Sequence, residues 1–336
     1  MGRRLDGGRR VVAIGGGTGL PIVLTALKRY LGSRVTDLTA VVTVTDDGGS
    51  SGRLREELHI LPPGDIRNCL VALAEVEPLM AELFQFRFGG DGALAGHSFG
   101  NLFLAALANV TGSFLQAIRT AGKVLAVQGT ILPSTLDSVT LGAELTDGTI
   151  VHGESKLRQG KHPVGRVFVE PASVRALPEV LEAIGQAEAI VLAPGSLYTS
   201  LVPNLLVGGL GDAVRKAAAL RLYVANLMTE PGETDGLTLA DHVEALYAHG
   251  GPGLVDGVVV HGRPFRRTVL ARYEKAGARP VIVDRERLHG LGVWVTEADL
   301  TGPTELARHH PDKLGRVLVR LIRHGGQNGP GEGGRA

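Results

Sequence analysis

The sequence predicts an α/β fold, a mostly parallel β-sheet with helices on both faces. Apolar runs alternate with amphipathic stretches along most of the 336 residues, the order expected of βαβ units. The first apolar run ends in a glycine cluster, which a helical pattern follows. A β-rich segment near residues 123–175 interrupts the alternation, and we interpret it as an excursion from the main sheet.

The apolar run at residues 11–14 predicts the first strand, and the amphipathic stretch at 20–31 predicts a helix. The apolar run at 38–45 predicts a second strand. A helix is predicted from Asp65 because apolar residues fall on one face, namely Ile66, Cys69, Leu70, Leu73 and Val76. A mostly buried helix follows at "SFGNLFLAALANV", and further strands are predicted at "AIVLAPGS", "RLYVANL", "DGVVVHG" and "RPVIVD".

The β-rich excursion contains a hairpin signal. Asp147–Gly148 is a two-residue turn between β-rich flanks, a pattern typical of tight hairpins. "VGRVFVEP" predicts one more strand. We predict a single domain over 11–324, a flexible N-terminus over 1–10 and a disordered glycine-rich tail over 325–336.

Composition excludes several classes of protein. Hydrophobic residues make up 44% of the chain and the formal net charge is +1, which allows a large core and argues against nucleic acid or an anionic membrane as the main partner. The single cysteine suits a reducing compartment, and no apolar run approaches the ~20 residues of a membrane span. We expect a cytoplasmic protein.

The glycine turn after the first strand is the first candidate binding site. Glycines let a phosphate approach the backbone, and the following helix offers unpaired N–H groups. A dinucleotide fingerprint would need glycine or alanine where Leu20 stands, so a nicotinamide dehydrogenase is disfavoured. The turn is formed by Gly15, Gly16, Gly17, Thr18 and Gly19.

Acidic residues follow the second predicted strand. Asp46 and Asp47 stand before a glycine-rich loop, and acids at this position bind sugar hydroxyls or hold Mg²⁺. A polar turn is the alternative reading. Asp65 is either a helix N-cap or a third catalytic candidate, with Asn68 in the same first turn.

Two later segments repeat the pattern of polar residues at a helix start. His97 and Asn101 flank the start of the buried helix, although a lone histidine is more often structural. "APGSLYTSLVPNLL" lacks the glycine of a nucleophile elbow at position 198, so a serine hydrolase is disfavoured. Its candidate ligand residues, together with one from the next strand end, are Gly195, Ser196, Leu197, Tyr198, Asn204 and Asn226.

Taken in order, these motifs resemble the YvcK/GlmR family of bacterial proteins, the gluconeogenesis factors, within the CofD-like superfamily. The segments are "GGGTG", "TDDGGSSGRLR", "PPGDIRN", "GHSFGNL", "LPST", "APGSLYTSLVPNLL" and "NLMTEPGETDG". The resemblance covers roughly residues 10–325. It implies a Rossmann-like fold and a ligand-contacting tyrosine and arginine, at the positions of Tyr273 and Arg308.

The resemblance also implies a function. Members of this family bind UDP-N-acetylglucosamine and link central carbon metabolism to peptidoglycan precursor supply and cell shape, with glucosamine-6-phosphate synthase as a suggested partner. The alternative is a Mg²⁺-dependent transferase, either a uridylyltransferase or a 2-phospho-L-lactate transferase. The sequence leaves open whether the protein only binds, and whether it forms a homodimer.

Overall fold

The computed structural model describes residues 8–157 and 162–325. Its strands are β1 (Arg9–Gly15), β2 (Val35–Val42), β3 (Thr130–Pro133), β4 (Thr140–Leu145), β5 (Ile150–His152), β6 (Val164–Glu170), β7 (Ala189–Leu192), β8 (Leu220–Val224), β9 (Gly257–His261) and β10 (Trp294–Ala298). The first seven helices are α1 (Gly19–Lys28), α2 (Gly49–Leu58), α3 (Gly64–Leu73), α4 (Pro78–Gln85), α5 (Phe99–Thr111), α6 (Phe114–Val124) and α7 (Glu154–Leu157). The others are α8 (Pro178–Gln186), α9 (Val202–Leu206), α10 (Leu210–Lys216), α11 (Leu239–Gly250), α12 (Arg267–Lys275), α13 (Arg285–Gly290) and α14 (Pro311–His324), with a π-helical turn at Leu197–Leu201.

The main sheet has seven strands in the order β10-β9-β8-β7-β1-β2-β3. All its neighbouring pairs are parallel, so the predicted parallel sheet is confirmed. Side chains alternate between its faces. Val11 and Ala13 pack with α1, α3 and α14, whereas Val12 and Ile14 pack with α8 and α11. Helices therefore cover both faces, as predicted.

The excursion is shorter than predicted. A three-stranded antiparallel sheet, β5-β4-β6, spans 140–170, and the hairpin at Asp147–Gly148 is present, with Gly148 at φ +83. Residues 130–133 instead form β3, which pairs with β2 and is the last strand of the main sheet. The chain leaves the main sheet only after β3. The small sheet shares a hydrophobic core with β7 and β8.

Two other expectations need correction. "RPVIVD" forms one isolated bridge, between Met228 and Pro280, and no strand, because proline lacks the N–H that a ladder requires and Ile282 is 66% exposed. The helix predicted from Asp65 ends at Leu73, before Val76, and Pro78 begins α4.

The chain ends differ slightly from the prediction. Arg9 and Arg10 belong to β1 rather than to a flexible N-terminus, because both bind Glu188, through Arg9 Nη1 at 2.7 Å and Arg10 N at 3.0 Å. Gly325 ends α14 with φ +59. The rest of the predicted termini, 1–7 and 326–336, lies outside the described residues. Within the described ranges, no helix is long and apolar enough to cross a membrane.

Candidate functional site

The candidate site lies where the strand order reverses. β1 and β7 are neighbours, and the sheet continues from β1 to β2 on one side and from β7 to β8 on the other. In open α/β sheets such a reversal leaves a crevice beyond the carboxyl ends of the strands. The glycine turn after β1 and the loop after β7 therefore face each other across it.

The two loops approach so closely that glycine is required. A Cβ at position 19 would lie 1.7 Å from the carbonyl oxygen of Pro194. At Gly16 a Cβ would meet Thr43 Cγ2 at 2.5 Å and Asp65 Oδ2 at 2.6 Å. Gly17 adopts a φ of +57. These glycines serve the packing of the turn as well as access for a ligand.

A cavity of ≈ 240 Å³ opens between these loops and the C-terminal part of the chain. It brings together residues that are far apart in sequence, and six of the predicted ligand residues line it: Thr18, Gly19, Gly195, Asn226, Tyr273 and Arg308. Its other lining residues lie outside the set of candidate ligand residues, and they include Met228, Glu230 and His309.

The glycine turn leaves two donors for an anion. The N–H of Gly17 is already used, because it donates to Asp65 Oδ2 at 2.7 Å. Within 8–157 and 162–325, the N–H groups of Thr18 and Gly19 have no hydrogen-bond partner, and the Thr18 hydroxyl does not cap α1. Both residues line the cavity at the positive end of the helix dipole.

The loop after β7, by contrast, is held by protein side chains. Gly195 N donates to Asn226 Oδ1 at 2.8 Å, and Asn226 Nδ2 donates back to Gly195 O at 2.8 Å. The carboxylate of Glu233 accepts from Tyr198 N at 2.6 Å and Thr199 N at 3.3 Å. These backbone donors, which the sequence assigns to a ligand, are occupied by Asn226 and Glu233.

Two predicted ligand residues are completely buried. Leu197 and Asn204 are both 0% exposed. Asn204 Nδ2 donates to Ser200 O at 2.9 Å and to Gly15 O at 3.3 Å, joining the π-helical turn to the end of β1. In this structure both residues support the loops instead of lining the cavity.

The lining of the cavity combines apolar residues with polar and charged ones. Tyr273 packs beside Leu227, Met228 and Ala307. Glu230 accepts a hydrogen bond from Ser196 Oγ at 2.5 Å. Burial, with a smaller contribution from His261, lowers the pKa of His309 to about 4, so its ring is neutral at pH 7. A ligand with an aromatic ring, hydroxyl groups and an anionic group fits this set of side chains.

Asp46 and Asp47 lie outside this cavity. Asp46 Oδ1 accepts from Gly48 N at 2.9 Å. Asp47 Oδ1 accepts from Ser155 N at 3.0 Å and from Ser155 Oγ at 2.8 Å, which ties the loop to α7. Asp47 lines a separate cavity of ≈ 590 Å³ together with Arg53 and Arg87. In the described ranges no three His, Cys, Asp or Glu side chains group around a metal position.

The other predicted residues surround the starts of α3 and α5. Asp65 is not the N-cap of α3, because Pro63 holds that position, and Asp65 instead binds the glycine turn. Asn68 Oδ1 accepts from Arg67 Nη2 at 2.8 Å. His97 Nδ1 lies 3.0 Å from Ser50 Oγ, which accepts from Asn101 Nδ2 at 3.1 Å. Burial and then Arg53 lower the pKa of His97.

The lining residues outside the candidate set carry little local signal in the sequence. Glu230 stands in "NLMTEPGETDG" among several polar residues of equal promise. His309 follows Arg308, and Met228 looks like an ordinary core residue. Their positions in the cavity depend on how the segments around 228 and 308 pack against the ends of β1 and β7.

Comparison with known proteins gives consistent matches. The family described as 2-phospho-L-lactate transferase CofD matches residues 11–301. A gluconeogenesis factor from Halalkalibacterium halodurans is 48% identical over 312 residues, 93% of this chain and 96% of that protein. One from Bacillus subtilis is 46% identical over 315 residues, 94% and 98% of the two.

A solved structure matches equally well. A crystal structure of a UPF0052 family protein from Bacillus halodurans superposes with a TM-score of 0.89 at 48% identity, covering 93% of this chain and 99% of that one. The match therefore takes in nearly the whole chain.

Proposed function

The chain belongs to the CofD family, in which its relatives include bacterial gluconeogenesis factors, and from this premise we propose that it is a regulator that binds UDP-N-acetylglucosamine. In this proposal the protein acts in the cytoplasm and couples gluconeogenic growth to peptidoglycan precursor supply and cell shape. Glucosamine-6-phosphate synthase is the proposed partner.

The cavity at the strand reversal carries the proposal. The free N–H groups of Thr18 and Gly19 suit a diphosphate, which the cation of Arg308 would also attract. The apolar wall around Tyr273 and Met228 suits a pyrimidine ring. The carboxylate of Glu230, which also lines the cavity, is an acceptor for sugar hydroxyls. A nucleotide sugar uses all three features at once.

Thermal unfolding with and without UDP-N-acetylglucosamine tests this proposal. Ligand at 100 times its Kd should add about 2.7 kcal/mol to the free energy of unfolding and raise the Tm. Arg308→Ala and Tyr273→Ala should each weaken binding by about tenfold or more, because each removes a direct contact. Arg34→Ala, an exposed arginine outside the cavity, should leave affinity unchanged. No Tm shift at millimolar ligand, with or without Mg²⁺, would contradict the proposal.

The family match favours a second candidate, a Mg²⁺-dependent transferase. Asp65 touches the glycine turn, and Asp46 approaches α3, since a Cβ at Gly64 would lie 3.1 Å from Asp46 Oδ2. One or two carboxylates together with substrate phosphates are a usual Mg²⁺ site. In the uridylyl reaction, UTP and N-acetylglucosamine 1-phosphate would yield UDP-N-acetylglucosamine and pyrophosphate.

Pyrophosphate release from these substrates in the presence of Mg²⁺ separates catalysis from binding alone. An enzyme should lose its turnover in Asp46→Asn and keep it in Asp37→Asn, a control at an exposed aspartate in β2. Pyrophosphate at the level of a protein-free blank would reject the uridylyltransferase and leave the binding proposal standing.

A further inference from the structure

The outer edge of β10 is an unpaired β-strand edge. β10 is the last strand of the main sheet, with β9 as its neighbour. Trp294 N donates to Asp256 O at 3.2 Å and Ala298 O accepts from Gly262 N at 2.9 Å, so these residues face β9. Because backbone groups alternate along a strand, those of Val295 and Glu297 point outward. In the described chain they have no hydrogen-bond partner.

Helix α14 places arginines beside this edge. A groove of ≈ 460 Å³ lies between the end of β10 and α14, and Lys313, Arg316 and Arg320 line it. In α14, Lys313 pairs with Asp299 and Asp312 pairs with Arg29. Arg316 and Arg320 are exposed and take part in none of them. The groove therefore presents two cations without carboxylate partners.

The opposite edge of the sheet is different. There α6 and α8 lie on opposite faces of β3, and Arg119 of α6 binds Glu179 of α8 at 3.2 Å across that edge. Charged side chains beside an edge strand are one of the ways in which natural sheets discourage pairing with another chain. At the β10 edge, Glu297 pairs with Arg285 and Asp299 pairs with Lys313. Among the described residues this leaves Arg316 and Arg320 as the cations of the groove without a carboxylate partner.

From this contrast we propose that β10 and α14 bind an extended acidic segment of a partner protein, which adds to the sheet as an eighth strand. The partner's backbone would pair with the outward groups of Val295 and Glu297. Arg316 and Arg320 are about 6 Å apart along the helix. Alternate residues of a strand are separated by about 6.6 Å. Acidic side chains at every second position of the partner would therefore match the two arginines.

Fluorescence polarisation with the full chain tests this proposal. The probe is a fluorescein-labelled peptide of three Val-Glu repeats, compared with the matching Val-Lys peptide and with a shuffled peptide whose glutamates are adjacent. Binding of the Val-Glu peptide should be at least about tenfold tighter than binding of either control and should weaken with added salt.

Variants test the arginines of α14 and the backbone edge of β10 separately. The double variant Arg316→Glu/Arg320→Glu should bind the Val-Glu peptide about tenfold more weakly or worse, and Arg34→Glu should bind it normally. Val295→Pro should also weaken binding, because proline removes an outward N–H and is tolerated at a sheet edge. Fluorescence of Trp294, the single tryptophan, checks that Val295→Pro remains folded.

Several results would overturn the proposal. They are an absence of binding at millimolar peptide, an unchanged affinity in the arginine double variant, and equal affinity for the shuffled peptide. A homodimer that dissociates in Val295→Pro would mean that a second copy occupies the edge. Tighter peptide binding by a chain ended at Gly325 would mean that the chain's own C-terminal segment occupies it.

Discussion

Gly19 shows how much of the site rests on a single residue. It begins α1 and also faces the carbonyl of Pro194, where a Cβ would stand at 1.7 Å. The contact joins the turn after β1 to the loop after β7, so the shape of the cavity depends on it. From the sequence, this glycine is expected to let a phosphate approach the backbone, and the structure adds a packing reason.

Gly19→Ala is expected to lower the free energy of unfolding by about 2–4 kcal/mol, because the backbone carbonyl of Pro194 cannot move away without shifting β7. Gly185→Ala is the matched control, since Gly185 lies within α8 and a Cβ there meets nothing within 4 Å. It should be neutral or stabilising by up to about 1 kcal/mol. Urea unfolding of both variants measures the difference, and equal stability would contradict the packing argument.

At the scale of elements, the π-helical turn at Leu197–Leu201 depends on a carboxylate from another segment. Glu233 is 4% exposed and accepts from the N–H groups of Tyr198 and Thr199. A helical N-terminus normally binds an anion from its own cap or a ligand. Here a distant glutamate takes that role, so this terminus is closed to a phosphate.

Glu233→Ala should lower the free energy of unfolding by about 1–3 kcal/mol, because it leaves two buried donors without their acceptor. Glu233→Gln should lose less, since its amide oxygen still accepts a hydrogen bond. The control is Glu182→Ala, at an exposed position of α8, which should stay within about 0.5 kcal/mol of the parent. Chemical denaturation ranks the three, and an alanine variant as stable as the parent would reject the capping role.

The elements themselves were largely predictable. Apolar runs at β1, β2, β7, β8 and β9 are visible because strands buried on both faces read as continuous hydrophobic stretches. β10 was missed because Trp294, Thr296 and Glu297 interrupt its apolar pattern. The false strand at 279–284 had such a pattern, yet Pro280 and the exposed Ile282 keep it out of the sheet.

At the scale of the whole molecule, buried neutral histidines make stability depend on pH. Burial lowers the pKa of His242 and of His309 to about 4, from an ordinary value of 6.5. His242 Nδ1 lies 3.1 Å from the hydroxyl of Tyr223, as a neutral acceptor would. Above pH 6.5 both rings are neutral in the folded and in the unfolded chain. Protonation of these histidines therefore does not reduce the free energy of unfolding in that range.

Between about pH 6.5 and 4 the unfolded chain binds protons that the folded chain does not. The free energy of unfolding should therefore fall by about 1.4 kcal/mol per pH unit for each histidine. Urea unfolding at several pH values in this window measures the slope. The double variant His242→Gln/His309→Gln should show a shallower slope than the parent, and an identical slope would contradict the assignment.

The sequence by itself determined the class of fold and the positions of the polar loops. Strand and helix periodicity are local properties, and parallel strands bring their carboxyl ends to one edge. The glycine turn and the loop at Gly195 could therefore be assigned to one site.

Only the tertiary structure decided which of those loops bind and which support. Strand order and long-range packing put Tyr273 and Arg308 in the cavity, placed Asp47 in another cavity, and occupied the N–H groups of Gly195 and Tyr198 with Asn226 and Glu233. The physical reason is that sequence periodicity reflects residues that are near neighbours in the chain. The hydrogen bonds to Asn226 and Glu233 join residues 31 and 35 positions apart, so no local pattern indicates them.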